Sequence, residues 1–205
     1  HGATVPLQVI GKPPEWFFFD NDAQLRFRSR DQPLLGEALE PRKFLLARQE
    51  ASQKRIDEAV VEILANQSST GGFGLWGPGE GDFWLDAYVT DFLSRAKAQG
   101  YQVPDVAFKN ALANLRNQVN YAPDFSGQVN GGGEALAYAL MVLAREGAAA
   151  IGDLRYYADV KGDDFSTPLA QGQLGAALAS YGDQARADAM FRKAVAKMEA
   201  LEPEQ

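Results

Sequence analysis

The chain has 205 residues, 46% of them hydrophobic, and a formal net charge of -7 at pH 7. These values predict a globular protein that can bury a core, and the acidic balance without a dense Lys/Arg cluster argues against nucleic acid as a partner. The absence of Cys excludes disulfides, thiolate metal sites, Cys nucleophiles and a thioester within this chain.

Two further features narrow the possible classes of protein. The sole histidine, His1, stands beside Gly2 and is interpreted as a terminal remnant, so neither a metal site nor a histidine-based catalytic triad is expected. No apolar run approaches the roughly 20 residues of a membrane-spanning helix, so direct membrane insertion is not expected. No targeting signal is visible in the sequence.

The first part of the chain differs in pattern from the rest. Residues 1–50 combine a Pro13-Pro14 pair, an aromatic run at 16–19 and alternating apolar and basic residues at 25–28. This pattern predicts an extended or irregular arm, followed by a helical module at 51–205. We also predict that the aromatic run packs on the helical module, because a free apolar tail of this size invites association.

Apolar residues recur at helical spacing from Pro41 onward. Helices are predicted at 51–67, 83–100, 105–119, 134–147, 152–160, 167–182 and 184–202. The segment 134–147 is apolar nearly all round, which predicts a central position. The fold class is therefore all-α, with consecutive helices joined by short loops and packed as antiparallel hairpins.

A glycine-rich and aromatic-rich stretch, NQSSTGGFGLWGPGEGDFW at 66–84, separates the first two predicted helices. Just past the helix end, two glycines are expected to adopt positive φ, Gln67 to bond free backbone groups, and two aromatic side chains to fold back onto the hairpin. A further aromatic residue, Trp84, is expected in the core. We interpret the stretch as a structural corner rather than a ligand site, formed by Gln67, Gly71, Gly72, Phe73, Trp76 and Trp84.

The run GGFGLWGPGEGDFWLDAYVTDFLSRAKAQGYQVP at 71–104, with the helical segments EALAYALMVLARE and LAQGQLGAALASYGDQARADAMF, resembles the thioester-domain region of bacterial alpha-2-macroglobulins. The resemblance covers about residues 52–200 and implies an α/α-toroid, a ring of helix hairpins, in a large protease-trapping protein. In the family, a Cys-x-Glu-Gln quartet upstream of the first matched helix forms the thioester. The segment GEALEP at 36–41 has no Cys and cannot substitute for it.

The number of helices implies an incomplete ring. Only seven or eight helical segments follow residue 50, fewer than a closed toroid needs, so an open seam is expected at the last helix. The apolar residues of that helix form a wide stripe, made of Ala187, Met190, Phe191, Ala194, Val195 and Met198.

Several acidic residues invite a catalytic interpretation. Asp82, Asp86 and Asp91, with the pair Asp163-Asp164, are similar in type to the acidic clusters of toroidal terpene cyclases. A cyclase acid needs an apolar cavity and a magnesium site needs converging carboxylates, so helix capping by Asp82 and by the 163–164 pair is the preferred interpretation. The GGG at 131–133 lacks a preceding strand and a Lys, so loop flexibility is preferred over phosphate binding.

The sequence therefore predicts a non-catalytic helical domain of a bacterial alpha-2-macroglobulin-like protease inhibitor, without thioester chemistry in this chain. By resemblance, the expected partners are proteases, met through the full-length protein, and its neighbouring domains, in the periplasm or cell envelope. No cofactor and no metal are expected. Two alternatives stay open: a toroidal enzyme of the terpene cyclase or polysaccharide-processing kind, and an envelope scaffold that binds another protein.

Overall fold

The computed structural model describes residues 5–7, 15–19, 25–28, 41–79, 81–126 and 132–201, with side chains from residue 48 onward. The chain divides into two compact units, His1–Ile56 and Asp57–Gln205. Among the described residues, no helix is both long enough and apolar enough to cross a membrane. His1, Gly131 and most of the 36–41 segment lie outside the described residues.

The first unit contains a small antiparallel sheet. Its strands β1 (Val5–Leu7), β2 (Glu15–Phe19) and β3 (Leu25–Arg28) lie in the order β1-β2-β3. Phe17 is the central register position, paired with Val5 on one side and Phe27 on the other. The aromatic run and the alternating segment thus form strands, in keeping with the enrichment of aromatic residues in β-strands. The side chains of this sheet lie outside the described part, so their contact with the helical module stays a prediction.

The second unit is helical, and helix α1 leads into it. The helices are α1 (Pro41–Ala65), α2 (Phe83–Ala98), α3 (Asp105–Asn120), α4 (Glu134–Arg145), α5 (Ile151–Val160), α6 (Pro168–Ser180) and α7 (Gln184–Leu201). The predicted all-α fold built from helix hairpins is confirmed for this unit. The main difference in boundaries is at α1, which begins at Pro41 rather than near residue 51.

The helices form two layers. Alternate helices α2, α4 and α6 pack side by side as an inner layer, and α3, α5 and α7 pack against them from outside. The predicted central position of α4 is confirmed, because most of its residues are buried: Leu136, Ala137, Ala139, Leu140, Val142, Leu143 and Ala144. Alanine residues on these helices allow neighbouring helices to approach closely, and leucine and valine side chains fill the core between them. The arrangement is consistent with an α/α-toroid.

Two glycines show how tightly the helices meet. A Cβ at Gly175 on α6 would lie 2.9 Å from the Phe191 ring of α7, so this hairpin depends on a small residue at the crossing. Gly133, before α4, has φ +80, and a Cβ there would lie 2.6 Å from Phe165. The prediction that the 131–133 glycines provide only loop flexibility is therefore wrong for Gly133, which packs closely against a buried aromatic ring.

Capping residues differ in part from the prediction. Asp82 caps α2 as expected, accepting hydrogen bonds from the backbone N–H of Trp84 at 2.9 Å and of Leu85 at 3.2 Å. Helix α6 is capped instead by Thr167, which accepts from Ala170 N–H at 3.1 Å, with Pro168 at the first helical position. The Asp163-Asp164 pair lies too far ahead of the helix to cap it, so that prediction is wrong.

Candidate functional site

The corner between α1 and α2 is held by its first glycine and by Gln67. Gly71 has φ +94, in the left-handed region, and a Cβ there would lie 2.2 Å from the carbonyl oxygen of Asn110. The turn therefore presses directly on the backbone of α3, which only glycine permits. Gln67 Nε2 donates to the carbonyl of Ala107 on α3 at 2.9 Å, and Gln67 pairs with Phe73 in an isolated β-bridge.

Of the remaining predicted corner residues, only Phe73 has the position expected from the sequence. Phe73 is buried, as expected of an aromatic residue that folds back. Gly72 is not among the described glycines with positive φ, so that expectation is wrong; a Cβ there would lie 3.4 Å from Asp86 Oδ2, at ordinary contact distance. Trp76 is 98% exposed and does not fold back onto the hairpin, and Trp84 is 49% exposed and lies outside the core, so both expectations are wrong. Trp84 packs at the surface instead, stacked on the half-exposed Tyr88 with ring centroids 5.3 Å apart and tilted against Tyr138 of α4 at 6.3 Å.

Asp86 forms the buried centre of the corner. The residue has no exposed surface, and its carboxylate accepts hydrogen bonds from the backbone N–H of Phe73 at 2.7 Å, Asn114 Nδ2 at 2.9 Å and Gln118 Nε2 at 2.7 Å. Its position in the first turn of α2 adds the favourable end of the helix dipole. One carboxylate thus ties the corner, α2 and α3 together, and no described Lys or Arg forms an ion pair with it.

A polar pocket of about 330 Å³ adjoins this carboxylate. Asp86 lines this pocket, although the residue itself has no solvent-exposed surface. The other lining residues are Thr70, Gly72, Gly81, Asn114, Asn117 and Gln118. A Cβ at Gly81 would lie 2.5 Å from Asp86 Oδ1, so a glycine is needed beside the carboxylate. Sequence reasoning treated Asp86 only as one member of a dispersed acidic group. The signal it missed is an aspartate on the apolar side of α2, together with the amide pair Asn114 and Gln118 four residues apart on α3.

Asp91, one turn further along α2, belongs to a separate network that joins α2 to α4. It is 7% exposed and accepts hydrogen bonds from Arg95 Nε at 3.0 Å, from Tyr138 Oη at 2.9 Å and from Arg145. Burial alone raises the pKa of Asp91, but the hydrogen bonds from Arg145, Arg95 and Tyr138 outweigh burial and hold the pKa below its usual value. Burial and the adjacent carboxylate raise the pKa of the Tyr138 hydroxyl. This network is a clamp between α2 and α4, because the Asp91 carboxylate is paired with Arg95 on its own helix and with Arg145 on α4.

The other acidic residues do not converge on a metal site. Asp163 pairs with Lys193, and Asp164 accepts a hydrogen bond from Ser126 Oγ at 2.8 Å. Within the described ranges, no group of three or more His, Cys, Asp or Glu residues is placed to hold a metal ion.

A serine and a lysine meet near these acids, which raises the question of a Ser-Lys nucleophile. Ser126 Oγ contacts Lys161 Nζ, and both contact Asp124. The hydrogen bond to Asp124 raises the pKa of Lys161, and the Lys161 ammonium in turn lowers the pKa of Asp124 to about 2. A lysine that acts as a general base needs a depressed pKa instead. The cluster is therefore an ion-pair network and not an activated nucleophile.

Comparison with known proteins gives different results for the two ends of the chain. Residues 1–67 match the family model described as the portal protein of Mu bacteriophage. Alpha-2-macroglobulin of Escherichia coli strain K12 is 35% identical over 146 residues, which is 68% of this chain and 9% of that protein. The chain therefore spans about a tenth of the length of the curated relatives it matches.

Two solved structures extend this likeness to the fold. The native conformation of Escherichia coli alpha-2-macroglobulin matches with a TM-score of 0.65 at 31% identity, covering 72% of this chain and 10% of that one. A crystal structure of the same protein from domain MG7 to the C-terminus matches with a TM-score of 0.63 at 32% identity, covering 72% of this chain and 24% of that one. Matches of this extent cannot fit within residues 1–56 and so must include most of the helical unit.

The two layers of alternating helices define the helical unit as a domain of the α/α-toroid class. At 31 to 35% identity, this part of the chain is homologous to the bacterial alpha-2-macroglobulins.

Proposed function

We propose that the helical unit is a non-catalytic domain of an alpha-2-macroglobulin-like protease inhibitor, in which it supplies a rigid helical body to protease trapping in the cell envelope. The homology supports the family and the inhibitor role. The absence of Cys from all 205 residues supports a domain that carries no thioester of its own. Proteases and neighbouring domains are the partners that this proposal assigns to the full-length protein.

The observation that carries the proposal is the combination of the toroid fold with the absence of any cysteine thiol from the sequence. The chain aligns with alpha-2-macroglobulin structures over 72% of its length, yet contains no thiol that could form a thioester. A serine that stands close to a lysine, Ser126, is paired with an ammonium rather than a base. The domain then contributes to trapping through its shape and its contacts.

Methylamine tests the absence of thioester chemistry. The chain is incubated with methylamine and its intact mass is measured, with Salmonella alpha-2-macroglobulin, whose methylamine-reacted structure has been solved, as the positive control. We expect an unchanged mass for this chain and an adduct for the control. A mass increase that corresponds to one methylamine would overturn the proposal.

A toroidal enzyme is the alternative of a different class. Such an enzyme requires a deep central cavity lined by several carboxylates. The corner pocket contains a single carboxylate, Asp86, and the aliphatic core formed by α2, α4 and α6 leaves the described centre of the unit filled. These features favour the inhibitor domain over the enzyme.

An envelope interaction module has one observation in its favour. An apolar groove of about 670 Å³ runs along the exposed face of α6 between α4 and α7, with Leu169 at 69% exposure and Met198 at 55%. Of the six residues of the predicted stripe on α7, only Ala194 and Met198 line this groove, whereas Ala187 and Met190 are buried in the core. Pull-down from a periplasmic extract with the wild-type chain and with Leu169→Asp tests this role. A partner retained equally by both proteins would show that the groove is not used.

A further inference from the structure

The corner pocket has a chemical bias that the proposed function does not use. Its wall holds one buried anion, Asp86, and otherwise neutral groups: a hydroxyl, two glycines and three carboxamides. Among the residues described, none of the lining side chains is basic. The pocket is therefore negative at one wall and has no counter-charge of its own.

The carboxamides face the carboxylate in a fixed direction. Asn114 and Gln118 both donate their side-chain N–H groups to Asp86 Oδ2, because only the NH₂ end of an amide can face an anion. Their carbonyl oxygens are consequently turned away from Asp86 as acceptors. Gln118 Oε1 is buried and has no hydrogen-bond partner. The wall thus places an unpaired acceptor beside the buried carboxylate.

The glycines of the corner keep this wall open. A side chain at Gly81 would meet Asp86 at 2.5 Å, and one at Gly72 would lie 3.4 Å from both Asn114 Nδ2 and Asp86 Oδ2. Gly81 therefore cannot carry a side chain beside the carboxylate, whereas a methyl group at Gly72 would make ordinary contacts with the polar cluster. A pocket near 300 Å³ is at the lower end of the range for small-ligand sites.

We propose that the pocket binds a primary ammonium group without covalent reaction, either from a small amine or from a lysine side chain. Its N–H groups donate to oxygen atoms of the lining side chains, the unpaired Gln118 Oε1 among them, and its charge is attracted by the Asp86 carboxylate. Ammonium fits better than a metal ion, because the described residues contain no group of three acidic, His or Cys side chains in the right arrangement.

The test is an NMR titration of the full chain labelled with ¹⁵N, observing the side-chain amide signals of Asn114 and Gln118. Propylammonium chloride is the probe, and sodium chloride and tetramethylammonium chloride at equal ionic strength are the controls. Tetramethylammonium carries the charge but has no N–H donor. We expect saturable shifts with propylammonium alone. Absence of saturation, or equal shifts with either control salt, overturns the proposal.

A matched pair of variants locates the binding. Asn117→Lys places a tethered ammonium at the exposed rim of the pocket, and Asn120→Lys makes the same change at an exposed position of α3 outside its lining. We expect Asn117→Lys to weaken propylammonium binding at least about tenfold and Asn120→Lys to leave it unchanged. Equal affinity in the two variants would exclude this pocket as the site.

A capped peptide, acetyl-Gly-Lys-Gly-amide, distinguishes the two sources of the ammonium group. Shifts of the same signals with an affinity close to that of propylammonium assign the pocket to a lysine side chain. Binding of propylammonium without the peptide assigns it to a small amine. Failure of both probes would overturn the proposal while leaving the methylamine mass test of the proposed function unaffected.

Discussion

Asp86 and Asp91 lie on the same helix and are both almost completely buried, yet their charges are balanced in different ways. Asp86 is 0% exposed and accepts only from neutral donors, the Phe73 backbone and the amides of Asn114 and Gln118. Asp91 is 7% exposed and is paired with two arginines and a tyrosine. The two sites show how one residue type serves two structural roles within a single helix.

Helical phase explains the difference. Positions 86 and 91 are separated by about 140° around the helix axis. Asp86 therefore faces the corner and α3, where the approaching groups are backbone and carboxamide, whereas Asp91 faces α4, which presents Arg145 and Tyr138. A buried anion can be stabilised by oriented dipoles, as at Asp86, or by opposite charges, as at Asp91.

The largest expected effect concerns the site with neutral donors. Asp86→Ala removes the shared acceptor and leaves the Phe73 N–H and two carboxamides unpaired, so we expect a loss of about 3 to 5 kcal/mol in the free energy of unfolding. Urea denaturation followed by circular dichroism measures it. The control is Asp188→Ala at an exposed position of α7. A loss similar to that of the control would show that the corner does not depend on Asp86.

The backbone of the same corner is tested by two alanine substitutions. Gly71→Ala combines a left-handed conformation with a clash at the Asn110 carbonyl, whereas Gly100→Ala has φ +89 and no atom within 4 Å. We expect Gly71→Ala to cost about 2 to 3 kcal/mol and Gly100→Ala about 1 kcal/mol. Equal costs in thermal unfolding would mean that α3 moves aside. Gly72→Ala should cost less than either.

The charged site is expected to give a pH-dependent effect. The folded-state pKa of Asp91 lies below its usual value, so its contribution to stability is present above the unfolded pKa of about 3.9 and is lost as pH falls through the folded pKa. Asp91→Asn should cost about 1.5 to 3 kcal/mol at pH 7 and lose less further stability between pH of about 5 and 2 than the wild type. Unfolding curves across this range measure it, with Asp188→Asn as the charge-matched control. Parallel pH profiles for wild type and Asp91→Asn would contradict the assignment.

The smallest effects concern the tryptophans near the corner. Trp84 is half exposed and stacked on Tyr88, so Trp84→Ala should cost about 1 to 2 kcal/mol, less than a core tryptophan. Trp76→Ala should cost below about 0.5 kcal/mol, because that side chain is almost fully exposed. Melting temperatures of the two variants, measured side by side, test this order. A larger loss for Trp76→Ala would mean that the loop packs in solution.

Much of the fold follows from periodicity. The apolar pattern predicts each helix of the second unit, and the all-round apolar segment at 134–147 correctly predicts that α4 is central. The alternation at 25–28 correctly predicts extended structure. These features depend on local pattern alone, which is why one sequence suffices to find them.

The candidate site was less predictable, because it depends on which helix meets which. The carboxamides of Asn114 and Gln118 lie 28 and 32 residues from Asp86, and no local pattern marks them as its partners. Trp84 was expected in the core because it falls on the apolar side of the predicted helix, yet this side chain is half exposed. The likeness of residues 1–67 to a phage portal family also had no counterpart in the sequence reasoning, which assigned the first segment no family.

The long separations within the corner and the α2–α4 clamp bear on the order of folding. Gln67 and Ala107 are 40 residues apart and Asp91 and Arg145 are 54 apart, whereas α6 and α7 are joined by the short loop 181–183. Closing a longer loop costs more chain entropy, so local hairpins form before distant pairs. We therefore expect the α6–α7 hairpin to be formed in the folding transition state, with Phe73 and Asp86 joining late. The corner would then also be the first part of the helical unit to open in hydrogen exchange.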